Sequence, residues 1–207
     1  MYVVSIQKGA RNEKLSILHS LSDKKMTSQC GLDLFFVQED IKDVVERGQV
    51  DGIFSSENNK LKMSTKKGDT SVSSYLYHHG GKIVQDELAH TVKIKVSKLI
   101  GDFVVTSAGQ LNEHGVELIF HLVVIKAGLM GDAKPTATCL NVVDVFSKAL
   151  VKANEMGLRS VCVHFHFTAQ SKSSASDLQK AMLSVLNDPN LFKGGERSLQ
   201  QVYLCYK

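Results

Sequence analysis

The sequence predicts an α/β fold, a three-layer α/β/α sandwich with a mixed, largely parallel central sheet. Short apolar segments typical of strands alternate with segments of helical periodicity along most of the chain. The segment 116–124 is almost continuously apolar, which is typical of a strand covered on both faces. With 207 residues, of which 43% are hydrophobic, the chain is long enough to bury such a core.

Strands and helices are predicted in alternation. Strands are expected at residues 2–6, 32–37, 52–54, 103–106, 116–124, 160–165 and 201–206, and helices at residues 13–21, 41–46, 71–77, 82–97, 136–156 and 177–186. In helix 136–156 the period places Leu140 on the inward face, and Gly157 follows as the expected left-handed residue. Residues 23–31 are polar and aperiodic, so we expect a connection there. The predicted organisation is an N-terminal strand-helix extension at 1–30 and one domain at 31–207.

The charge of the chain is mildly basic. The formal net charge is +4, and the densest basic cluster is formed by Lys60, Lys62, Lys66 and Lys67. Proteins that hold duplex nucleic acid usually concentrate more charge, so duplex nucleic acid is not an expected partner. We interpret the cluster as a solvated loop, whose positive charges would still attract an anionic ligand bound nearby.

The cysteines and histidines give no metal or redox motif. The four cysteines are widely scattered and three lie in apolar segments, which predicts a reducing, intracellular compartment, cytoplasm or nucleus. His78 and His79 are adjacent and lack a partner at useful spacing, so no metal site and no cofactor are predicted. No segment reaches the roughly 18 apolar residues of a spanning helix, and no signal sequence precedes the first strand, so no membrane partner is expected.

The segment 50–59 is the candidate ligand site. The predicted strand 52–54 is followed by the polar run Ser55-Ser56-Glu57-Asn58. Ligands of open α/β sheets bind beyond the carboxyl ends of the strands, where such a run would place donors and acceptors. Two interpretations follow, a ligand site or an ordinary exit from a strand into a loop.

Five segments follow one another in the order of a known motif set. Gln38-Glu39-Asp40-Ile41 is similar to Gly-Asp-Ile-Thr, and residues 50–58 are similar to Val-Asp-Ala-Ile-Val-Asn-Ala-Ala-Asn. Residues 98–111 resemble Gly-x-hydrophobic-x-x-Thr-x-Ala-Gly, residues 116–124 a Val-Ile-His-hydrophobic-Val strand, and residues 157–161 a Gly-x-x-Ser-Ile segment. Over residues 32–207 this order resembles the macro domain, the ADP-ribose-binding module, and most of all the macro domains of the mono-ADP-ribosyltransferase family.

The resemblance implies a ligand-binding set for ADP-ribose. Asp40 would receive the adenine amino group and Asn58 would bind the distal ribose. Ser55, Thr168 and Gln170 would replace backbone amide contacts that the sequence has lost. The whole implied set is Asp40, Ile41, Ser55, Asn58, Thr168, Ala169 and Gln170.

The departures from the family's pattern concentrate at the phosphates. A glycine-rich loop would let backbone amides approach a diphosphate, but residues 63–68 contain a single glycine. Ala169 stands where the second phosphate loop has glycine, and Ser55 where the strand motif has asparagine. Glu57 brings a negative charge that opposes a diphosphate unless the side chain turns away.

Three functions are therefore weighed. The sequence favours a divergent macro domain that has lost efficient ADP-ribose binding and acts as a non-catalytic protein-interaction or structural module. The alternative is a non-hydrolytic reader of ADP-ribose or ADP-ribosylated proteins. An ADP-ribosyl hydrolase is disfavoured because its loops would have to hold the substrate accurately, and these are the most altered loops; no catalytic residue is predicted. Whether the crevice beside Asp40 and Asn58 is open, or plugged by side chains such as Phe167 or Tyr75, would discriminate among these functions.

Overall fold

The computed structural model describes residues 24–66, 68–94, 100–127, 133–135, 139–164, 175–193 and 196–205. Its strands are β1 (Lys24–Thr27), β2 (Asp33–Val37), β3 (Gly52–Asn58), β4 (Phe103–Ser107), β5 (Leu118–Ala127), β6 (Ala133–Pro135), β7 (Ser160–His164) and β8 (Gln201–Cys205). Its helices are α1 (Ile41–Glu46), α2 (Val72–Gly80), α3 (Lys82–Ile94), α4 (Cys139–Glu155) and α5 (Ala175–Leu186), with a 3-10 helix at Gly109–His114.

All the described strands belong to one sheet. The strand order is β1-β2-β8-β7-β3-β5-β4, and β6 pairs with β5 outside this path. The central strands β2, β8, β7, β3 and β5 are parallel to one another. The outer strands β1, β4 and β6 pair antiparallel with their neighbours. The predicted mixed, largely parallel sheet is confirmed.

Helices cover both faces of the sheet, and each face has its own core. Side chains alternate between the two faces along a strand, so that Ile53 packs in one core and its neighbour Phe54 in the other. On the Ile53 face the buried helical residues include Val44 of α1, Leu76 of α2 and Leu88 of α3. On the Phe54 face they include Phe146 of α4 and Met182 of α5. This confirms the predicted three-layer sandwich. No helix in the described ranges is long and apolar enough to span a membrane.

In the segment 98–111, position 109 requires glycine because of its backbone conformation and its close contact with α2. Its φ is +58°, and a Cβ there would lie 2.1 Å from the carbonyl oxygen of Gly80 at the end of α2. No side chain fits at that distance, and glycine alone adopts this backbone conformation without strain. Gly109 therefore allows the 3-10 helix to lie directly against the end of α2.

The strand β3 is longer than predicted. The sequence suggested that it ends at Phe54, but it continues to Asn58, so the polar run lies inside the strand. Because side chains alternate, Ser55 and Glu57 share the face of Ile53 and are buried with it. The prediction that these residues follow the strand is wrong, and their place in the sheet changes what they can contact.

Two further predictions need correction. Residues 24–27, predicted as part of a connection, form β1, which pairs with β2 at the edge of the sheet. Leu140, predicted to face inward, is 79% exposed, because the packed face of α4 runs instead through Val142, Phe146 and Ala149. The predicted strand 2–6 and helix 13–21 lie outside the described residues, and the domain division at residue 30 stays a prediction.

Candidate functional site

The predicted ligand edge of the sheet is present in the structure. The five parallel strands run in one direction, so their carboxyl ends lie at one edge. Asp40 follows β2, His164 ends β7 and Asn58 ends β3. In the strand order β8 and β7 separate β2 from β3. Asp40 and Asn58 therefore lie at two different ends of this edge, which we call the crevice because ligands of open α/β sheets bind beyond such strand ends.

A cavity of about 260 Å³ opens at the Asp40 end of the crevice. Its described lining comprises residues 40–42, residues 68–72, four further residues of α2 and His164. Asp40 and Asp69 contribute two carboxylates, against the single ammonium group of Lys42. With the histidines counted as neutral, this lining carries a small negative formal charge, in contrast to the basic chain as a whole.

The junction of β2 and α1 positions the first two predicted site residues. Asp40 has extended backbone (φ −74°, ψ 154°) just before α1, and its N–H donates to Asp43 Oδ2 at 3.3 Å. Asp40 is exposed and lines the cavity, whereas Ile41 is 2% exposed and also packs in the core. The structure thus places both residues at the cavity, and their ligand contacts stay predictions.

Tyr75 forms one wall of the cavity. Its ring lies 4.5 Å from the ring of His79, centroid to centroid, at an interplanar angle of 31°. Burial, with a further contribution from the carboxylate of Glu46, raises the pKa of Tyr75 to about 12. The side chain is therefore a neutral phenol near pH 7. Tyr75 lines the cavity without filling it, and Phe167, the other predicted plug, lies outside the described residues.

Asn58 closes the turn that follows β3. Its Oδ1 accepts from the backbone N–H of Lys60 at 2.9 Å, and its Nδ2 donates to the carbonyl oxygen of Lys62 at 2.9 Å. Leu61, inside this turn, has the left-handed φ of 49° and is buried. Both ends of the carboxamide are therefore bound to the loop itself. The predicted contact of Asn58 with a distal ribose stays a prediction, in competition with these bonds.

The loop beyond Asn58 has its backbone groups bound from within the protein. Gln85 of α3 accepts from the N–H of Met63 at 2.9 Å and donates to the carbonyl oxygen of Leu61 at 3.3 Å. Ser73 of α2 accepts from the N–H of Ser64 at 3.2 Å. We call residues 58–71 the phosphate-side segment, because it contains residues 63–68, where the resemblance places a diphosphate loop. At Met63 and Ser64 its amides point into the protein.

Asp69 links the phosphate-side segment to the cavity. Its carboxylate accepts from the hydroxyl of Ser64 and, at 2.9 Å, from the N–H of Ser71. The hydrogen bond from Ser64, with that from the Ser71 amide, lowers the pKa of Asp69. Asp69 is therefore ionised at neutral pH and connects Ser64 to Ser71, which lines the cavity.

Beneath this segment lies a buried polar cluster. Ser55 donates to Glu57 Oε1 at 2.9 Å, and Ser73 donates to Glu57 Oε2 at 3.0 Å. His121 of β5 has Nδ1 3.6 Å from Glu57 Oε1, and its Nε2 lies 3.0 Å from the hydroxyl of Thr106. Glu57 is 1% exposed and Ser55 is 0% exposed. Glu57 therefore turns away from the crevice, and Ser55 is not among the residues that line the cavity.

The remaining predicted site residues cannot be placed in this geometry. Thr168, Ala169 and Gln170 lie outside the described residues. Sequence reasoning missed Gln85 and Ser73, because their partners are distant and no local signal reports them. The bond from Ser71 N–H to Asp69 is a recognisable Asp-x-Ser turn and could have been found. Over the described ranges no group of three or more histidine, cysteine or acidic residues is arranged to hold a metal ion.

The architecture is similar to solved macrodomains. The Oceanobacillus iheyensis macrodomain with ADP aligns at a TM-score of 0.63 and 15% identity over 88% of this chain and 87% of that one. The Trypanosoma brucei macrodomain in complex with ADP-ribose aligns at 0.55 and 18% identity, over 77% of this chain and 59% of that one. The ganglioside induced differentiation associated protein 2 macro domain aligns at 0.60 and 17% identity, over 85% and 76%. By sequence, neither a family model nor a curated protein matches. At these identities the similarity shows a shared fold.

Proposed function

We propose that this chain, a divergent macro domain by its fold, is a non-catalytic module that has lost efficient ADP-ribose binding and acts through contacts with other proteins. The macro-domain fold supports an ADP-ribose-binding module in the broad sense. The finer assignment comes from the crevice of this chain. Fold alone does not fix function, so the local chemistry decides. The free thiols of Cys30, Cys162 and Cys205 favour an intracellular site of action.

The state of the phosphate-side segment is the observation that carries the proposal. Backbone amides bind phosphate when several of them point together into a concave site. Here the amides of Met63 and Ser64 donate to Gln85 and Ser73. Freeing them for a ligand would break these bonds and leave polar groups unpaired, at a cost of about 1–3 kcal/mol for each buried group. A diphosphate would have to offset that cost before gaining any affinity.

The charge and size of the cavity argue in the same direction. Asp40 and Asp69 place two carboxylates at the cavity, and Lys42 supplies one ammonium group, which lies 3.6 Å from Glu46. A ligand with a doubly charged diphosphate gains little from that lining. The volume of about 260 Å³ is also small beside the ~300–1,000 Å³ of typical drug-sized ligand sites. Both features favour loss of efficient ADP-ribose binding.

One observation favours the alternative, a non-hydrolytic reader. The cavity is open beside Asp40, the residue that the resemblance assigns to adenine, and Tyr75 does not plug it. A base could therefore still enter this end of the crevice. A hydrolase is disfavoured because it would need an accurately placed substrate, and the amides of Met63 and Ser64 that could place a diphosphate donate to Gln85 and Ser73 instead.

Isothermal titration calorimetry with ADP-ribose at low salt tests the proposal. We expect no binding heat up to millimolar ligand, which corresponds to a free energy weaker than about −4 kcal/mol. A micromolar constant, about −8 kcal/mol, that weakens in Asp40→Ala but not in the matched control Asp86→Ala would establish the reader instead. Asp86 lies on α3 with an exposed side chain and does not line the cavity. Release of ADP-ribose from a modified protein would contradict the non-catalytic assignment.

A further inference from the structure

Glu57 is a carboxylate buried in the middle of the sheet. Its side chain is 1% exposed, on the face of β3 that packs against α2 and α3. Burial of a charged group is tolerated when hydrogen bonds satisfy its oxygens. The two oxygens of Glu57 meet this condition by accepting from two hydroxyls, Ser55 at 2.9 Å and Ser73 at 3.0 Å. One of these donors, Ser73, belongs to a different element from Glu57.

Ser73 connects Glu57 to the phosphate-side segment. Its hydroxyl donates to Glu57 Oε2 and accepts from the N–H of Ser64. A serine hydroxyl has one donor and two acceptor sites. The carboxylate therefore fixes the rotation of this hydroxyl, because only one orientation donates to Glu57 and leaves a lone pair for Ser64. The orientation of the Ser64 amide thus depends on a residue that does not touch it.

His121 acts on the other side of the carboxylate. Its Nδ1 is buried, has no hydrogen-bond partner among the described residues and lies 3.6 Å from Glu57 Oε1. Its Nε2 lies 3.0 Å from the Thr106 hydroxyl. If that hydroxyl donates to Nε2, the proton on the ring is at Nδ1 and faces Glu57. In that tautomer the Nδ1–H would attract the carboxylate at Oε1, while Oε2 accepts from Ser73.

We propose that Glu57 is the specificity-determining residue of the crevice, a positioning residue that acts through Ser73. By fixing the Ser73 hydroxyl it keeps the Ser64 amide directed inward, and the crevice consequently disfavours phosphorylated ligands relative to unphosphorylated ones of the same kind. This rests on the proposed function, since it gives the physical origin of the lost phosphate affinity. It also adds a regulatory consequence: loss of the Glu57–Ser73 contact makes an amide available to an anion.

Amide hydrogen exchange measured by NMR tests the connection without any ligand. In Ser73→Ala and in Glu57→Gln we expect the protection of the Ser64 amide to fall by about tenfold, the effect of losing one hydrogen bond. The Met63 amide, which donates to Gln85, should keep its protection. The matched variant Gln85→Ala should give the reverse, with Met63 exposed and Ser64 unchanged. A merely structural role of Glu57 would raise the exchange of both amides together.

Titration with ADP and with adenosine tests the selectivity. The ratio of ADP affinity to adenosine affinity should rise by about tenfold in Ser73→Ala and Glu57→Gln, because one amide becomes able to bind an anionic oxygen. Adenosine affinity itself should not change. Ser73→Ala removes the acceptor of the Ser64 amide directly and therefore tests the last step of the connection, whereas Glu57→Gln tests the contribution of the carboxylate; if Glu57→Gln does not fold, Glu57→Asp, whose shorter side chain withdraws the carboxylate from Ser73, replaces it.

Each outcome decides the proposal. Unchanged protection of Ser64 in Ser73→Ala, equal loss at Met63 and Ser64, or an unchanged ADP-to-adenosine ratio would overturn it. Tight binding of ADP-ribose by the unaltered chain would overturn the proposed function instead, and the exchange measurement would still judge the role of Glu57 separately.

Discussion

The two ends of the crevice differ in how their polar groups are used. At the Asp40 end, the side chains of α2 and the start of α1 surround an open cavity. At the Asn58 end, the phosphate-side segment is bound by Gln85, Ser73 and its own side chains. One sheet edge thus carries an open half and a half whose hydrogen bonds are satisfied internally. A single sheet edge can therefore combine an open cavity with a segment whose amides are bound internally, while the fold around both is intact.

The largest loss of stability is expected in Gln85→Ala, at the Asn58 end of the crevice. The change removes two hydrogen bonds, to Met63 N–H and to the Leu61 carbonyl oxygen, which lie beside buried side chains. At about 1 kcal/mol for each bond, the free energy of unfolding should fall by about 2 kcal/mol. Urea denaturation followed by circular dichroism measures it.

The neighbouring change Asp86→Ala is the matched control. Asp86 is on the same helix, with its carboxylate 3.8 Å from Lys82 at the surface. Exposed pairs of this kind contribute little, so the loss should stay below about 0.5 kcal/mol. Equal losses in the two variants would mean that Gln85 does not hold the segment.

A smaller effect is expected in Asn58→Ala, which separates two roles of this side chain. If Asn58 closes the turn through Lys60 and Lys62, its removal should cost about 1 kcal/mol without any ligand present. Lys60→Ala keeps the backbone N–H and serves as the control. If Asn58→Ala leaves the free energy of unfolding unchanged but weakens ligand binding, the result would support the predicted contact with the ribose instead.

The fold could be predicted because its signals are local and repeated. Apolar strands alternating with periodic helices gave the sandwich, and the continuous run at 116–124 identified β5 as a strand within the sheet. The strand β1 was not predicted, because an edge strand can consist of charged and polar residues such as Lys24 and Lys25. The end of β3 was misjudged because Ser55 and Glu57 look like loop residues, whereas in the structure the hydroxyls of Ser55 and Ser73 donate to the buried Glu57 carboxylate.

The candidate site was only partly predictable. Asp40 could be placed because it follows a recognisable strand and begins a helix. The roles of Gln85 and Ser73 depend on contacts that span 22 and 16 residues. Neither side chain differs locally from an ordinary helical surface residue. A site formed by side chains from separate helices requires the tertiary structure.

Asp69 lines the cavity and also contacts the phosphate-side segment, and its ionisation should make the stability of the protein depend on pH. Its hydrogen bonds from Ser64 and Ser71 lower its pKa below the ordinary value of 3.8. A carboxyl whose pKa is lower in the folded state contributes stability above its unfolded pKa, and that stability is lost as the pH falls through the folded pKa. Because Asp69 is partly exposed, we expect less than about 1 kcal/mol.

Asp69→Asn isolates this contribution. The variant should be less stable than the unaltered chain at pH 6 and should approach it as the pH falls below the ordinary carboxyl pKa, in urea denaturation at matched ionic strength. A difference in stability that is the same at every pH would show that the charge of Asp69 is not involved.

The smallest effect is expected at the open end, in His79→Ala. His79 is exposed, and its ring contacts the ring of Tyr75 at an interplanar angle of 31°. Substitutions at such positions usually change stability by no more than about 0.5 kcal/mol. If the open end of the crevice is formed by side chains that the fold does not need, His79→Ala should unfold like the unaltered chain, as measured by urea denaturation. A loss as large as that of Gln85→Ala would show that the open wall is structural too, and the contrast between the two ends would disappear.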